Sequence, residues 1–162
     1  MAIAERTMKK RKLSGIAAIE IACGLVLIMV ISLLAVDITI LLLGYDFNDR
    51  ACRDACKAAS KQSSSVAAQT AASSTLKSHK ADGNFVTDPI LLTGAGDFNY
   101  QSFGLTGGSS SVTVTTECKV KTPVPLTFVG NVFGERTNGK DATWTFRKRY
   151  TLPIATYNAQ LP

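Results

Sequence analysis

Gly15, Ile16 and Glu20 are the residues whose types and spacing point most directly to chemistry. Gly15 has no side chain and follows a basic run, so a peptidase can approach the bond after it. Cleavage there would leave a new α-amine on Ile16 and make Glu20 the fifth residue of the shortened chain. Amine and carboxylate would then lie about one helical turn apart, able to neutralise each other within one subunit or between neighbours. Glu20 stands near the start of an apolar run, where an unpaired charge costs on the order of 3 kcal/mol. A carboxylate in that position reads as functional.

Asp37 is a second acid, toward the far end of the same run. One reading sets it in an outer headgroup region at little cost. A sharper one has it meet a neighbouring subunit or an assembly platform. Glu20 and Asp37 are therefore the two candidates for a role in assembly.

Four cysteines are present. Cys23 falls inside the apolar run and reads as a small buried residue. Cys52, Cys56 and Cys118 lie beyond it, and an odd number leaves one thiol free or paired between chains. Cys52 and Cys56 share a helical face at i, i+4, and Cys118 lies in an expected strand. A bridge from Cys118 to either of them would staple helix to strand and contribute about 2–4 kcal/mol. A zinc site needs a fourth ligand, and the one histidine is His79. Neither metal nor cofactor is expected. His79 reads as a solvent-exposed residue at a helix end.

No Ser-His-Asp set, Gly-rich phosphate loop or spaced carboxylate pair stands outside the apolar region, so catalysis is not expected. The formal charge of +6 does not signal nucleic acid either. Residues 1–15 carry five basic residues and one acid, which leaves only +2 for the rest. The basicity is concentrated in the leader rather than spread as a footprint for a polyanion.

The element that must position Gly15 and Glu20 is the apolar stretch 16–43. From Ile21 to Val36 it holds no charged residue. As a helix it would extend roughly 40 Å, enough to cross a hydrocarbon core of about 30 Å with room for tilt. Arg6, Lys9, Lys10, Arg11 and Lys12 precede it, which keeps that end cytoplasmic and exports the chain beyond Leu43. The run is too long for the apolar part of a secretory signal peptide and lacks a small-residue exit. The helix is expected to break or emerge near Gly44.

Residues 45–61 continue as a helix with a narrow face of Ala51, Ala55, Ala58, Ala59, Cys52 and Cys56, and mixed charge elsewhere. Ser63, Ser64 and Ser65 supply a break and an N-cap for a second helix over 66–78. Asp82-Gly83-Asn84 is a turn signal. Beyond Phe85 the composition turns β-rich. Val112, Val114 and Thr116 alternate with polar residues, as do Trp144, Phe146, Lys148 and Tyr150, the period of half-buried strands. Arg147-Lys148-Arg149 reads as an exposed strand face, and 94–96 and 104–111 as loops.

The basic leader, Gly15 at the scissile position and Glu20 five residues on resemble the site read by prepilin peptidases. Ala35-Val36-Asp37, followed by the Ala-rich segment from Asn48 through Arg50, Cys52, Arg53 and Cys56 to Ala59, resembles the membrane-exit segment of TadE-like minor pilins. These are pseudopilins of tight-adherence (Flp, type IVb) pili. Val112-Thr113-Val114 through Thr122-Pro123-Val124-Pro125-Leu126 is similar to the family's small C-terminal β region. Ile21 departs from the aromatic that more often follows the Glu.

The expected fold class is α+β: a long N-terminal transmembrane helix continuing into an exported helix, a second short helix and a small C-terminal antiparallel β-sheet. The expected organisation is a cleaved leader 1–15, a transmembrane helix 16–44, an exported stem and second helix 45–80, and a β-rich exported domain 81–162. The resemblance implies a structural subunit of a type IVb pilus. Its implied partners are a prepilin peptidase, other pilins and pseudopilins, and the assembly platform of a bacterial inner membrane, with the C-terminal domain exported or carried into the pilus. The other class of reading is an uncleaved, single-pass anchored module whose outer domain binds a partner.

Overall fold

The computed structural model describes the backbone of residues 2–102, 110–123, 127–128, 131–132, 135–137 and 141–154, and the side chains of 15–102, 110–123 and 143–154. Residues 104–109 of the expected loop and 124–126 of the expected β region lie outside these. The architecture is α+β, as the residue patterns imply. Helix α1 spans Ala2–Ser60 and α2 spans Ser65–Ser78. Among the described residues, seven strands complete the order: β1 (Ile90–Leu91), β2 (Phe98–Gln101), β3 (Ser111–Lys121), β4 (Thr127–Phe128), β5 (Asn131–Val132), β6 (Glu135–Thr137) and β7 (Asp141–Pro153).

Two compact units divide the chain, Met1–Ile38 and Thr39–Pro162. The first is helical throughout its described residues. Ile16, Ile19, Leu25, Leu27, Ile28 and Met29 are all exposed on it. The Ser32 hydroxyl donates to Ile28 O at 2.8 Å, satisfying itself within the helix. By length and composition this helix can cross a membrane.

In the second unit, β3 is the central strand. β7 pairs antiparallel along its whole length, from Ser111↔Pro153 to Lys121↔Thr143. The opposite edge of β3 is shared: β2 takes Ser111 to Val114 and β1 takes Thr116 and Glu117. β6 adds to β7 only at 141–143, and β4 pairs with β5 as a separate ribbon. Alternation puts Val112, Val114, Thr116, Cys118 and Val120 on one face of β3, and all five are buried. β-branched residues suit such a pleated, covered surface.

That face packs on the helices. Ala51, Cys52, Ala55, Cys56 and Ala59 of α1 and Ala68, Ala72 and Leu76 of α2 form one core with Val112, Val114 and Ile154. Small helix side chains bring the α1 backbone close to the sheet, so the valines fill most of the space between. Burying each valine contributes about 1.5–3 kcal/mol. The Ser64 hydroxyl accepts from Ala67 N and caps α2, the role expected of the serine triplet. Asp82 Oδ1 accepts from Phe85 N and Val86 N around Gly83, whose φ of 74° makes the expected turn.

α1 does not break at Gly44. The glycine has a packing reason instead: a β-carbon there would overlap the Val120 Cγ2 methyl. A helix-interior glycine costs about 1 kcal/mol relative to alanine, and here it permits close approach of helix and strand.

Candidate functional site

Asn48, Cys52 and Cys56 recur every four residues along α1, which places them on one line of the helix. Each meets its own step of β3. Asn48 Oδ1 accepts from Thr116 Oγ1 at 2.9 Å, the Cys52 thiol donates to Val114 O at 3.5 Å, and the Cys56 thiol to Val112 O at 3.6 Å. Four helical residues rise about 6 Å and two strand residues about 6.6 Å, so the repeats stay in step. The same three side chains reach β7. Asn48 Nδ2 donates to Phe146 O at 3.0 Å, Cys52 to Lys148 O at 3.3 Å and Cys56 to Tyr150 O at 3.5 Å. The polar line thus sits astride the β3–β7 junction.

Burial pushes the Cys52 thiol up, and it pushes Cys56 up to about 11 with help from the neighbouring Cys52. Burial also raises Cys118. All three stay protonated near neutrality and are poor nucleophiles. They are free thiols, so the expected bridge from Cys118 to Cys52 or Cys56 is absent. The register gives the reason. Cys52 meets Val114, which lies about 13 Å from Cys118 along the strand, whereas bridged Cα atoms lie within about 7 Å. The Cys118 thiol instead donates to Thr87 O at 3.2 Å. Cys23 is exposed on the apolar helix.

Beside this line lies an ionic cluster that the residue patterns do not announce. Asp49 Oδ1 accepts from Tyr150 OH at 2.9 Å and faces Lys148 Nζ at 3.4 Å. Its Oδ2 accepts from Arg53 at 2.9 Å. Arg53 lies 5.5 Å from the Tyr150 ring centroid, and Lys148 donates to Tyr45 OH and sits 3.9 Å from that ring's centroid. Burial pushes the Asp49 carboxyl up, but hydrogen bonds from Tyr150 and Lys148, with the charges of Lys148 and Arg53, outweigh it. The carboxyl therefore titrates below the usual carboxylate range. Lys148 is held above its ordinary value, chiefly by its bond to Tyr45.

Lys148 corrects the reading of Arg147-Lys148-Arg149 as one exposed face. Its side chain is 22% exposed on the helix side, while Arg147 and Arg149 lie on the other face at 68% and 58%. His79 is also corrected: it is 25% exposed, with Nε2 3.5 Å from Asp54 Oδ2 and its ring beside Phe47.

In the first unit, Gly15, Ile16 and Glu20 lie on α1 and are exposed. The helix sets Glu20 one turn beyond Ile16. Asp37 is fully buried at 0% exposure. Among the described residues no cluster of three or more His, Cys, Asp or Glu side chains could hold a metal ion. No family model, curated protein or solved structure matches this chain.

Proposed function

We propose that this chain is a minor pilin or pseudopilin, a structural subunit processed by a prepilin peptidase and used in assembling a type IVb tight-adherence pilus. The observation that carries the reading is the order Gly15, Ile16, Glu20 at the head of an apolar helix, behind a basic leader. The continuity of α1 supports it, since one helix supplies both the apolar stretch and the stem that packs on the sheet. The basic flank orients the leader toward the cytoplasm, with the sheet-bearing unit exported from an inner membrane. Glu20 then serves assembly, pairing with the amine of Ile16 in its own or a neighbouring subunit. Thiols held protonated in the core fit a structural rather than a catalytic role.

The test is the N-terminus of the protein recovered from cells. Loss of fifteen residues, leaving Ile16 first, is the expected result. An intact Met1 defeats the pilin reading and leaves the anchored binding module.

A further inference from the structure

Among the described residues, the β7 strand is paired on one side along its length but on the other side only at its start. β3 takes 143–153, whereas β6 reaches only 141–143. From residue 144 onward no described strand lies on the second side. Alternation decides which backbone groups point there. Odd residues of β3 bond to the opposite edge: Thr115 O accepts from Leu92 N, Lys119 O from Thr87 N, and Lys121 N donates to Phe85 O. Even residues of β3 therefore bond to β7, and in an antiparallel pair their even partners bond back. That leaves the N–H and C=O of Thr145, Arg147, Arg149 and Thr151 directed at the open side, and the side chains of all four are exposed.

An edge of this length with no described strand beside it is a template for an added strand. The side chains beside it select which strand. Arg147 and Arg149 stand on one face about 6.6 Å apart. Each is fixed on its β3 side, Arg147 by Glu117 at 2.8 Å and Arg149 by Asp97 at 3.6 Å, and each remains more than half exposed. Two-fold pairing of β7 with a second copy works against these charges in the registers centred on the middle of the open edge. Centred on Lys148 it sets Arg147 opposite Arg149, and centred on Arg149 it sets that residue opposite itself, both unfavourable.

We infer that the open edge of β7 accepts an antiparallel strand from a different protein, one carrying acidic residues at alternate positions opposite Arg147 and Arg149. The inference rests on the second unit alone and does not depend on leader processing. The added strand's main chain pairs with Thr145, Arg147, Arg149 and Thr151, and its acidic side chains select the register.

The test uses the full chain in detergent micelles and a fluorescein-labelled peptide, Thr-Val-Glu-Val-Glu-Val-Thr. The acidic peptide is expected to bind saturably. Its counterpart with lysine for glutamate, and the same acidic peptide N-methylated at both glutamates, are expected to bind about tenfold more weakly or worse. Binding should slow amide exchange at Thr145, Arg147, Arg149 and Thr151 by about tenfold or more, while Phe146, Lys148 and Tyr150 are protected from the outset. Arg147→Gln with Arg149→Gln should weaken the acidic peptide without loosening those three amides, which reports that the sheet is intact. Equal binding of the acidic and lysine peptides overturns the inference. So does protection of the four outward amides before peptide is added, whether a second copy or another segment of the chain covers them.

Discussion

Gly44 of α1 lies so close to Val120 of β3 that a β-carbon at position 44 would overlap the Val120 Cγ2 methyl. In an unencumbered helix, glycine to alanine stabilises by about 1 kcal/mol. Here the sign should reverse. A branched valine in a buried strand has little room to give, and overpacking costs about 1–3 kcal/mol. Gly44→Ala is therefore expected to lower the melting temperature, and Gly44→Val to lower it further. Val120→Ala should restore part of the loss in the double variant, a coupling that two independent effects would not show. Additive losses in that cycle would refute the contact.

Asn48 is expected to be the most costly polar residue to truncate in the α1–sheet seam. It is fully buried and serves both strands, accepting from Thr116 and donating to Phe146 O. Asn48→Ala leaves the Thr116 hydroxyl without that acceptor, at about 1–3 kcal/mol. Asn48→Leu should not recover the stability, because the orphaned hydroxyl stays buried. The double change Asn48→Leu with Thr116→Val removes both partners and should recover most of it. Chemical denaturation of the four proteins decides the matter.

How far these residues are legible in the sequence differs by kind. The alternation of Trp144, Phe146 and Tyr150 marks one face of β7, and aromatic content marks it as the inner one. Lys148 is easily misplaced because three adjacent cations look like one patch, although neighbours in a strand must point to opposite faces. The i, i+4 spacing of Cys52 and Cys56 correctly places both on one helix face. Which strand carbonyls they meet depends on how the helix registers on the sheet, and no local pattern encodes that. Asn48 looks like one more polar residue in a charged stretch. Gly44 suggests a break because the residues it packs against lie far along the chain.

The thiols give a prediction with two independent readouts. In a Cys23→Ala background, iodoacetamide at neutral pH should leave Cys52, Cys56 and Cys118 unmodified until the protein unfolds. Non-reducing peptide maps should contain no bridge from Cys118. The pH dependence comes from burial: Cys56 moves from 9.0 to about 11 in the folded state. Its contribution to stability is complete below about pH 9 and is lost as pH rises toward 11, since only the unfolded thiol ionises easily there. Cys56→Ala should flatten that alkaline limb. Rapid native labelling of Cys52 and Cys56 would contradict their place in the core.

Asp49 contributes to the opposite limb. Its folded carboxyl titrates below 3.8, so its contribution is present above the ordinary carboxylate range and is lost as pH falls through and below that value. Asp49→Asn should make stability less steep between about pH 5 and pH 3. Tyr150→Phe removes one charge-assisted donor and should cost about 1.5–3 kcal/mol at neutral pH. An unchanged acid limb in the Asp49→Asn protein would show that another carboxylate controls it.

Glu20 is expected to matter for assembly and not for folding. It is exposed on α1, so its removal takes nothing from the core that joins α1, α2 and the sheet. The cost of placing a carboxylate in an apolar stretch must be met by a partner, and under the proposed function the amine that cleavage after Gly15 would expose at Ile16 lies one helical turn away. Glu20→Ala should leave membrane insertion intact and cleavage after Gly15 largely unaffected, while pilus yield and co-purification with other pilins fall. Glu20→Gln, which keeps hydrogen bonding without the charge, should fall less. Asp37 provides the contrast, because it is fully buried. Asp37→Ala should lower the melting temperature, an effect that Glu20→Ala should not have. Normal piliation with Glu20→Ala, together with failed piliation by an Asp37 variant of unchanged stability, would transfer the assembly role to Asp37.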